Sequence, residues 1–230
     1  MKIAFVVEKA DRRGGQNRVV TELSLRLAPR HEVHIYCFEA ADRVDGVEYH
    51  IMSCPFTHRP IMQEYWIPIA SRRAIHQDDF DIINAQGGNC MIANTTILHT
   101  SQHELAAAKR EILFTQPGMP WWERSLRKWW QNRAIANERR IVQKCRGAVI
   151  TVSEEVRQSV LERYDVHPHD VIAAPNGVDH ERFHPGLKDQ HRKRIRDELG
   201  IEEEQFLVLF MGGLWREKGL DRLLGAMDII

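Results

Sequence analysis

The 230-residue chain has no surplus charge: lysine plus arginine number 32, and so do aspartate plus glutamate. That balance excludes a globally basic nucleic-acid binder, so any basic patch is local and offset elsewhere. No C-x-x-C pair occurs. The four cysteines, Cys37, Cys54, Cys90 and Cys145, are widely and irregularly spaced. Such spacing fits reduced thiols in a cytoplasmic protein better than a disulfide frame or a zinc knuckle. No run of about 18 apolar residues exists, so no segment is expected to span a bilayer. The opening run KIAFVV stops at Glu8, too soon for a secretory signal, and reads as a buried strand. A G-x-G-x-x-G fingerprint is also missing, which disfavours a dinucleotide-dependent oxidoreductase.

What is present alternates. KIAFVV is followed by the polar loop EKADRRGGQNR and then by Val19, Val20, Leu23 and Leu27 at helical spacing. HEVHIYCF and GVEYHIM read as strands, residues 61–76 as a helix, and FDIINA and TTILHT as strands again. A mostly helical stretch covers 102–146. GAVITVS is a strand, SEEVRQSVLERY a helix with Ser153 at its N-cap, and DVIAAPNG a strand ending in an Asn-Gly turn. This order predicts an α/β fold, a doubly wound parallel sheet with helices on both faces, over residues 1–178. A charged linker with one helix follows over 179–204. FLVLFMGGLWREKGLDRLL then repeats the opening logic, and 205–230 reads as the first βα unit of a second such domain, cut short.

In doubly wound sheets ligands bind outside the carboxyl ends of the strands. Two loops there are candidates: the one holding Gly14 and Gly15, and the one that follows TTIL and holds His99. Paired glycines before a helix let backbone amides approach an anion. Gly212-Gly213 repeats the device, with Arg216 and Lys218 beside it, a combination suited to a diphosphate. The plain alternatives are ordinary strand-to-helix turns and a hydrogen-bonded structural histidine. His180-Glu181-Arg182-Phe183-His184 matches H-E-x-x-H, the zinc-protease pattern. Pro185-Gly186 follows at once, so the continuous helix that pattern needs is not expected. No metal and no other cofactor is expected.

The stretches PNGVDHERFHP, GGLWREKGLDRLL, RRGGQNRVVTEL and NERRIVQKCRGAVITVSEEVRQSVLERY resemble retaining glycosyltransferases of the GT-B fold, family 4. The resemblance is closest to enzymes of lipopolysaccharide core and other cell-envelope glycans, and it covers nearly the whole chain. It implies two facing α/β domains, the first binding the acceptor and the second a nucleotide-sugar donor. It further implies that Gly14 and Gly15 cap the donor phosphate and sugar, that His99 contacts the sugar, and that Lys218 holds the diphosphate. Transfer would proceed with retention and without a metal, through electrostatic stabilisation of the leaving diphosphate. Gly213 departs from the family, where many members carry Arg; Arg216 is the cation nearest to replacing it. The family's paired glutamates would lie beyond Ile230, so this chain alone is expected to be inactive and its full-length parent active. The rival readings are a non-catalytic glycan- or membrane-binding domain and a GT-B relative acting as a sugar epimerase.

PGMPWWERSLRKWW holds four of the six tryptophans. On a helix, Trp122, Leu126, Trp129 and Trp130 share one face, with Trp121, Arg127 and Lys128 beside it. Two readings stand. The tryptophans pack on the domain, or they and the cations contact an anionic membrane beside a lipid-linked acceptor. The second places the enzyme in the cytoplasm, peripheral on the inner membrane.

Overall fold

The computed structural model describes residues 1–56, 60–113, 119–145, 147–212, 215 and 218–228, with the side chains of 60, 61 and 109–113 left aside. The strands are β1 (Lys2–Val6), β2 (Lys9–Ala10), β3 (Glu32–Cys37), β4 (Glu39–Ala40), β5 (Val47–Ile51), β6 (Ile82–Gln86), β7 (Thr95–Leu98), β8 (Val149–Thr151) and β9 (Val171–Ala173). The helices are α1 (Gly15–Leu27), α2 (Pro60–Ala74), α3 (Gln102–Leu113), α4 (Trp121–Lys144), α5 (Glu154–Arg163), α6 (Leu187–Glu198) and α7 (Leu220–Met227). The chain divides into two compact units, Met1–Asn176 and Gly177–Ile230.

In the first unit seven strands form one sheet in the order β5-β3-β1-β6-β7-β8-β9, every neighbouring pair parallel. β1 shows why the expected architecture forms. Its side chains alternate between two cores, as a strand's period of two dictates. Ala4 and Val6 join Ile67 and Ala70 of α2, Ile141 and Val142 of α4, and Val160 of α5. Ile3, Phe5 and Val7 join Val20 of α1 on the opposite face, with Leu23 and Leu27 packed alongside. Both faces are therefore covered, which is why the strand reads as an unbroken apolar run. Ser153 caps α5, its Oγ accepting from the Val156 amide at 3.3 Å. The four cysteines are free thiols. Burial pushes Cys37 up to about 11 and Cys145 up to about 12, so both stay protonated near neutral pH.

α4 divides along its length. Its buried residues, Glu138, Ile141 and Val142, all lie in the last third. At the other end Trp121 is 78%, Trp122 55% and Trp129 56% exposed. Among the tryptophans of this helix Trp121 is thus the least covered. Trp130 stacks on Tyr65 with ring centroids 3.7 Å apart, and Trp129 meets the Trp130 ring edge-on at 4.5 Å.

The second unit holds α6 and α7. Arg196 of α6 is buried and donates to the carbonyls of Glu202, Glu203 and Gln205, pinning the turn that follows the helix. The strand expected from FLVLF does not form: among the described residues this run joins no ladder, and Phe206 and Leu209 are 92% and 76% exposed. A strand exists only by pairing, and the described residues of this unit supply no partner.

Candidate functional site at the carboxyl ends of the strands

β1 delivers Glu8 to the carboxyl edge of the sheet, beside a cleft of about 290 Å³. Glu8, Glu64, Gln86, Asn89, His99 and Asn137 supply much of its polar lining, and among the described residues no lysine or arginine lines it. The Oε1 atom of Glu8 is buried without a hydrogen-bond partner. Burial, assisted by the charge of Glu64 and opposed by Lys9, pushes this carboxyl up to about 7. Near neutral pH it thus exists as both acid and base, a state common at functional sites.

His99 follows β7. Its Nε2 lies 2.8 Å from Gln86 Oε1, and that chain continues from Gln86 Nε2 to Asn84 Oδ1 at 2.8 Å and from Asn84 Nδ2 to Thr95 Oγ1 at 2.7 Å. An amide oxygen only accepts, so this network puts the ring proton on Nε2 and leaves Nδ1 as the acceptor. Burial lowers the His99 pKa, which keeps the ring neutral.

The loop after β6 completes the cleft. Gly87 has φ +65°, a left-handed conformation that favours glycine. A Cβ on Gly88 would come within 3.1 Å of both Asn137 Cβ and the Glu138 backbone nitrogen, so this loop approaches α4 more closely than most side chains allow. Asn89 ties it down, donating to the Val6 carbonyl at 2.8 Å and accepting from the Gln86 amide at 3.0 Å. Below, Glu138 is buried and receives the Gln102 amide at 3.1 Å and the Tyr164 hydroxyl at 2.6 Å. Burial raises its pKa against the pull of those two donors. A carboxylate here also complements the first turn of α3.

The glycine loop is organised by a residue the sequence reading passed over. Asp11 Oδ1 accepts from the amides of Arg13 at 3.0 Å and Gly14 at 3.3 Å and from Asn17 Nδ2 at 3.0 Å. Burial acts to raise the Asp11 pKa, and these hydrogen bonds outweigh it and hold the carboxyl low. The Gly14 amide, expected to face a phosphate, is therefore engaged by a carboxylate of the same chain. Gly15 opens α1 with open space at its Cβ position. In the second unit Lys218 is exposed, its Cγ 3.8 Å from the Cβ position of Gly212, and Gly219 opens α7 with φ +79°. Arg216 and Gly213 lie outside the described residues. The H-E-x-x-H segment forms a turn, with Asp179 Oδ1 accepting from the amides of Glu181 and Arg182, so no continuous helix carries its two histidines.

Trp129 lines a second, larger groove of about 780 Å³ together with Tyr65, Trp66, Ile69 and Trp130 and with Arg72, Arg73, Arg133 and Arg140. Arg73 sits over the Trp66 ring at 5.5 Å. Arg127 pairs with Glu123 at 2.7 Å, and Lys128 is exposed. No described helix is long and apolar enough to cross a membrane.

The sequence reading placed His99 correctly at the sheet edge but missed Glu8, Gln86, Asn89 and Glu138. The Gly87-Gly88 pair directly after FDIINAQ was the available signal, since it repeats the strand-glycine pattern seen twice elsewhere.

Residues 13–182 match the family described as Glycosyltransferase Family 4. A D-inositol 3-phosphate glycosyltransferase of Geodermatophilus obscurus is 33% identical over 92 residues, which is 40% of this chain and 19% of that protein. The crystal structure of WaaG, a glycosyltransferase involved in lipopolysaccharide biosynthesis, matches with a TM-score of 0.71 at 17% identity, over 97% of this chain and 58% of that one. Sucrose-phosphate synthase from Thermosynechococcus elongatus matches with a TM-score of 0.67 at 16% identity, over 100% of this chain and 60% of that one. The chain thus spans only part of the length of each relative, and at such identities the two structures speak to fold alone. With the matched segment covering most of the sequence and the parallel sheet matching theirs, the chain belongs to Glycosyltransferase Family 4 and has the GT-B type of α/β fold.

Proposed function

We propose that this chain supplies the acceptor-binding part of a retaining glycosyltransferase that moves a hexosyl group from a nucleotide-sugar to a glycan or lipid-linked acceptor. On this reading 1–178 is the acceptor domain, 179–204 the linker, and 205–230 the start of the donor-binding domain. The observation that carries it is the cleft chemistry: carboxyl, amide and imidazole groups converge at the carboxyl edge of the sheet. Such groups suit the many hydroxyls of a sugar.

His99, neutral and oriented by Gln86, contacts the sugar being transferred. The Gly14 and Gly15 loop closes on the donor phosphate, which requires the Gly14 amide to exchange Asp11 for the ligand. Arg216 and Lys218 stabilise the charge that develops on the departing diphosphate, in place of a metal. The exposed Trp121, Trp122 and Trp129, with Arg127, Lys128 and Trp130 nearby, favour contact with an anionic membrane surface, placing the protein at the cytoplasmic face of the inner membrane.

The test is an assay of the full-length protein against nucleotide-sugars and candidate acceptors in the presence of a chelator. Product formed with the donor's anomeric configuration, and roughly 10- to 100-fold slower for His99→Ala, is the expected result. An inverted product, an absolute metal requirement or epimerised donor would sink the reading.

A further inference from the structure

Outside the cleft lining, on strands β3 and β5, the fold assembles a histidine-carboxylate cluster that the sequence does not announce. In the β3–β5 register His34 faces Glu48 and Tyr36 faces His50, so the four side chains share one face. His34 Nδ1 lies 2.9 Å from His50 Nε2 and 3.5 Å from Glu48 Oε2, and His50 Nε2 lies 3.4 Å from Glu48 Oε1. Zinc held by nitrogen and oxygen at about 2.0–2.1 Å in a tetrahedron spaces its ligand atoms about 3.3 Å apart. The nitrogens at 2.9 Å lie close to that value, each ring also has one of the two Glu48 oxygens at 3.4–3.5 Å, and with one ligand atom taken from each residue all three atoms fall within 4.8 Å of one another.

The surroundings favour a cation as well. His34 is 4% exposed, and its other nitrogen, Nε2, contacts Glu32 Oε1 at 3.0 Å. A carboxylate on the far side of a ligating imidazole fixes its tautomer and raises its basicity. Since Nε2 donates to Glu32, the neutral His34 ring offers Nδ1 as a lone pair. Two carboxylates, Glu32 and Glu48, surround the rings, with Lys2 the opposing cation, 3.2 Å from Glu32. Tyr36 stacks on His50 at 4.3 Å and limits its freedom. Glu48 is 64% exposed, which leaves a side open to water as a fourth ligand.

We propose that His34, Glu48 and His50 bind a divalent ion of the zinc class, water completing the shell, and that this ion clamps the edge strand β5 to β3. The ion takes the place of the hydrogen bond between the two rings. His50 turns within its stack on Tyr36, and its proton moves from Nε2 to Nδ1 by exchange with water, so no proton is gained or lost overall. The site lies in the amino-terminal half of β3, away from the cleft at the carboxyl ends, and its role is structural rather than catalytic.

The experiment is calorimetric titration of the chelator-treated 230-residue chain with zinc chloride, alongside thermal melts. One site whose affinity falls at least about tenfold in Glu48→Gln and in His50→Gln is expected. Saturating zinc is expected to raise the melting temperature by about 5 °C in the native sequence and not in the double variant. Glu48 is exposed, so its substitution reports on binding without a folding defect, which circular dichroism verifies. Equal stoichiometry and affinity in the double variant, or no site in the native chain, would overturn the proposal. The first of these results would assign zinc to other histidines, such as the stacked pair His167 and His169.

Discussion

Glu8→Gln offers the sharpest check on the cleft. The Glu8 carboxyl has an ordinary value of 4.5 and is pushed up to about 7 by burial and by Glu64. The folded state therefore holds this proton more tightly than the unfolded chain does. Below pH 4.5 both states are protonated and Glu8 carries no electrostatic penalty. Between 4.5 and 7 the unfolded chain ionises first, so stability falls as pH rises through that window. Above 7 the penalty is complete. A rise from 4.5 to about 7 corresponds to about 3 kcal/mol. Because the carboxyl keeps some contact with solvent, roughly 1–2 kcal/mol survives screening. Glutamine keeps the shape and cannot ionise. The variant should thus match the native chain near pH 4 and exceed it by roughly 1–2 kcal/mol at pH 8. Urea denaturation followed by tryptophan fluorescence measures this, since Trp66, Trp121, Trp122, Trp129 and Trp130 all lie in the first unit. Parallel pH profiles for the two proteins would refute the reasoning, as would a less stable variant at pH 8.

Three other substitutions probe the same framework. Gly88→Ala places a Cβ 3.1 Å from the backbone of α4, which must shift by a few tenths of an ångström to admit it, and should cost about 1–3 kcal/mol in a denaturant melt; a neutral result would mean that the helix moves aside freely. Tyr164→Phe removes the hydroxyl that donates to buried Glu138 and should cost about 1.5–3 kcal/mol in the same assay, a loss that Glu138→Gln in the same chain should partly relieve. Trp121→Ala combined with Trp122→Ala should weaken sedimentation with anionic vesicles at least about tenfold while leaving the melting temperature unchanged; undiminished binding would remove the membrane contact from α4.

The alternation of apolar runs and helical spacing was enough to place the sheet, because a strand buried on both faces leaves an unmistakable pattern, as KIAFV does. His99 was legible for the same reason: it ends such a run. Glu8 ends one too, yet a charged residue after a strand ordinarily marks the return to solvent, and nothing local says that Glu64 from α2 lies near it. Glu138 sits within a helix full of charges, and its burial depends on Tyr164 and on the first amide of α3, both distant in sequence. His34, Glu48 and His50 meet only through strand register. FLVLF failed in the opposite sense: its pattern is that of a strand, but pattern cannot supply the neighbour that makes one.

The length of α4 has a geometric consequence. Trp122 and Glu138 are sixteen positions apart (138 − 122) on one uninterrupted helix. At 1.5 Å per residue the distance is about 24 Å. A helix is stiff over such a length, and Glu138 shares a cavity wall with His99. Whatever grips the tryptophans is therefore held at a fixed stand-off from the cleft, independent of any loop. On the proposed function, the first turns of α4 would act as a gauge that selects acceptors by reach, since a hydroxyl would have to project from its anchor by the distance that the tilt of this one rod allows.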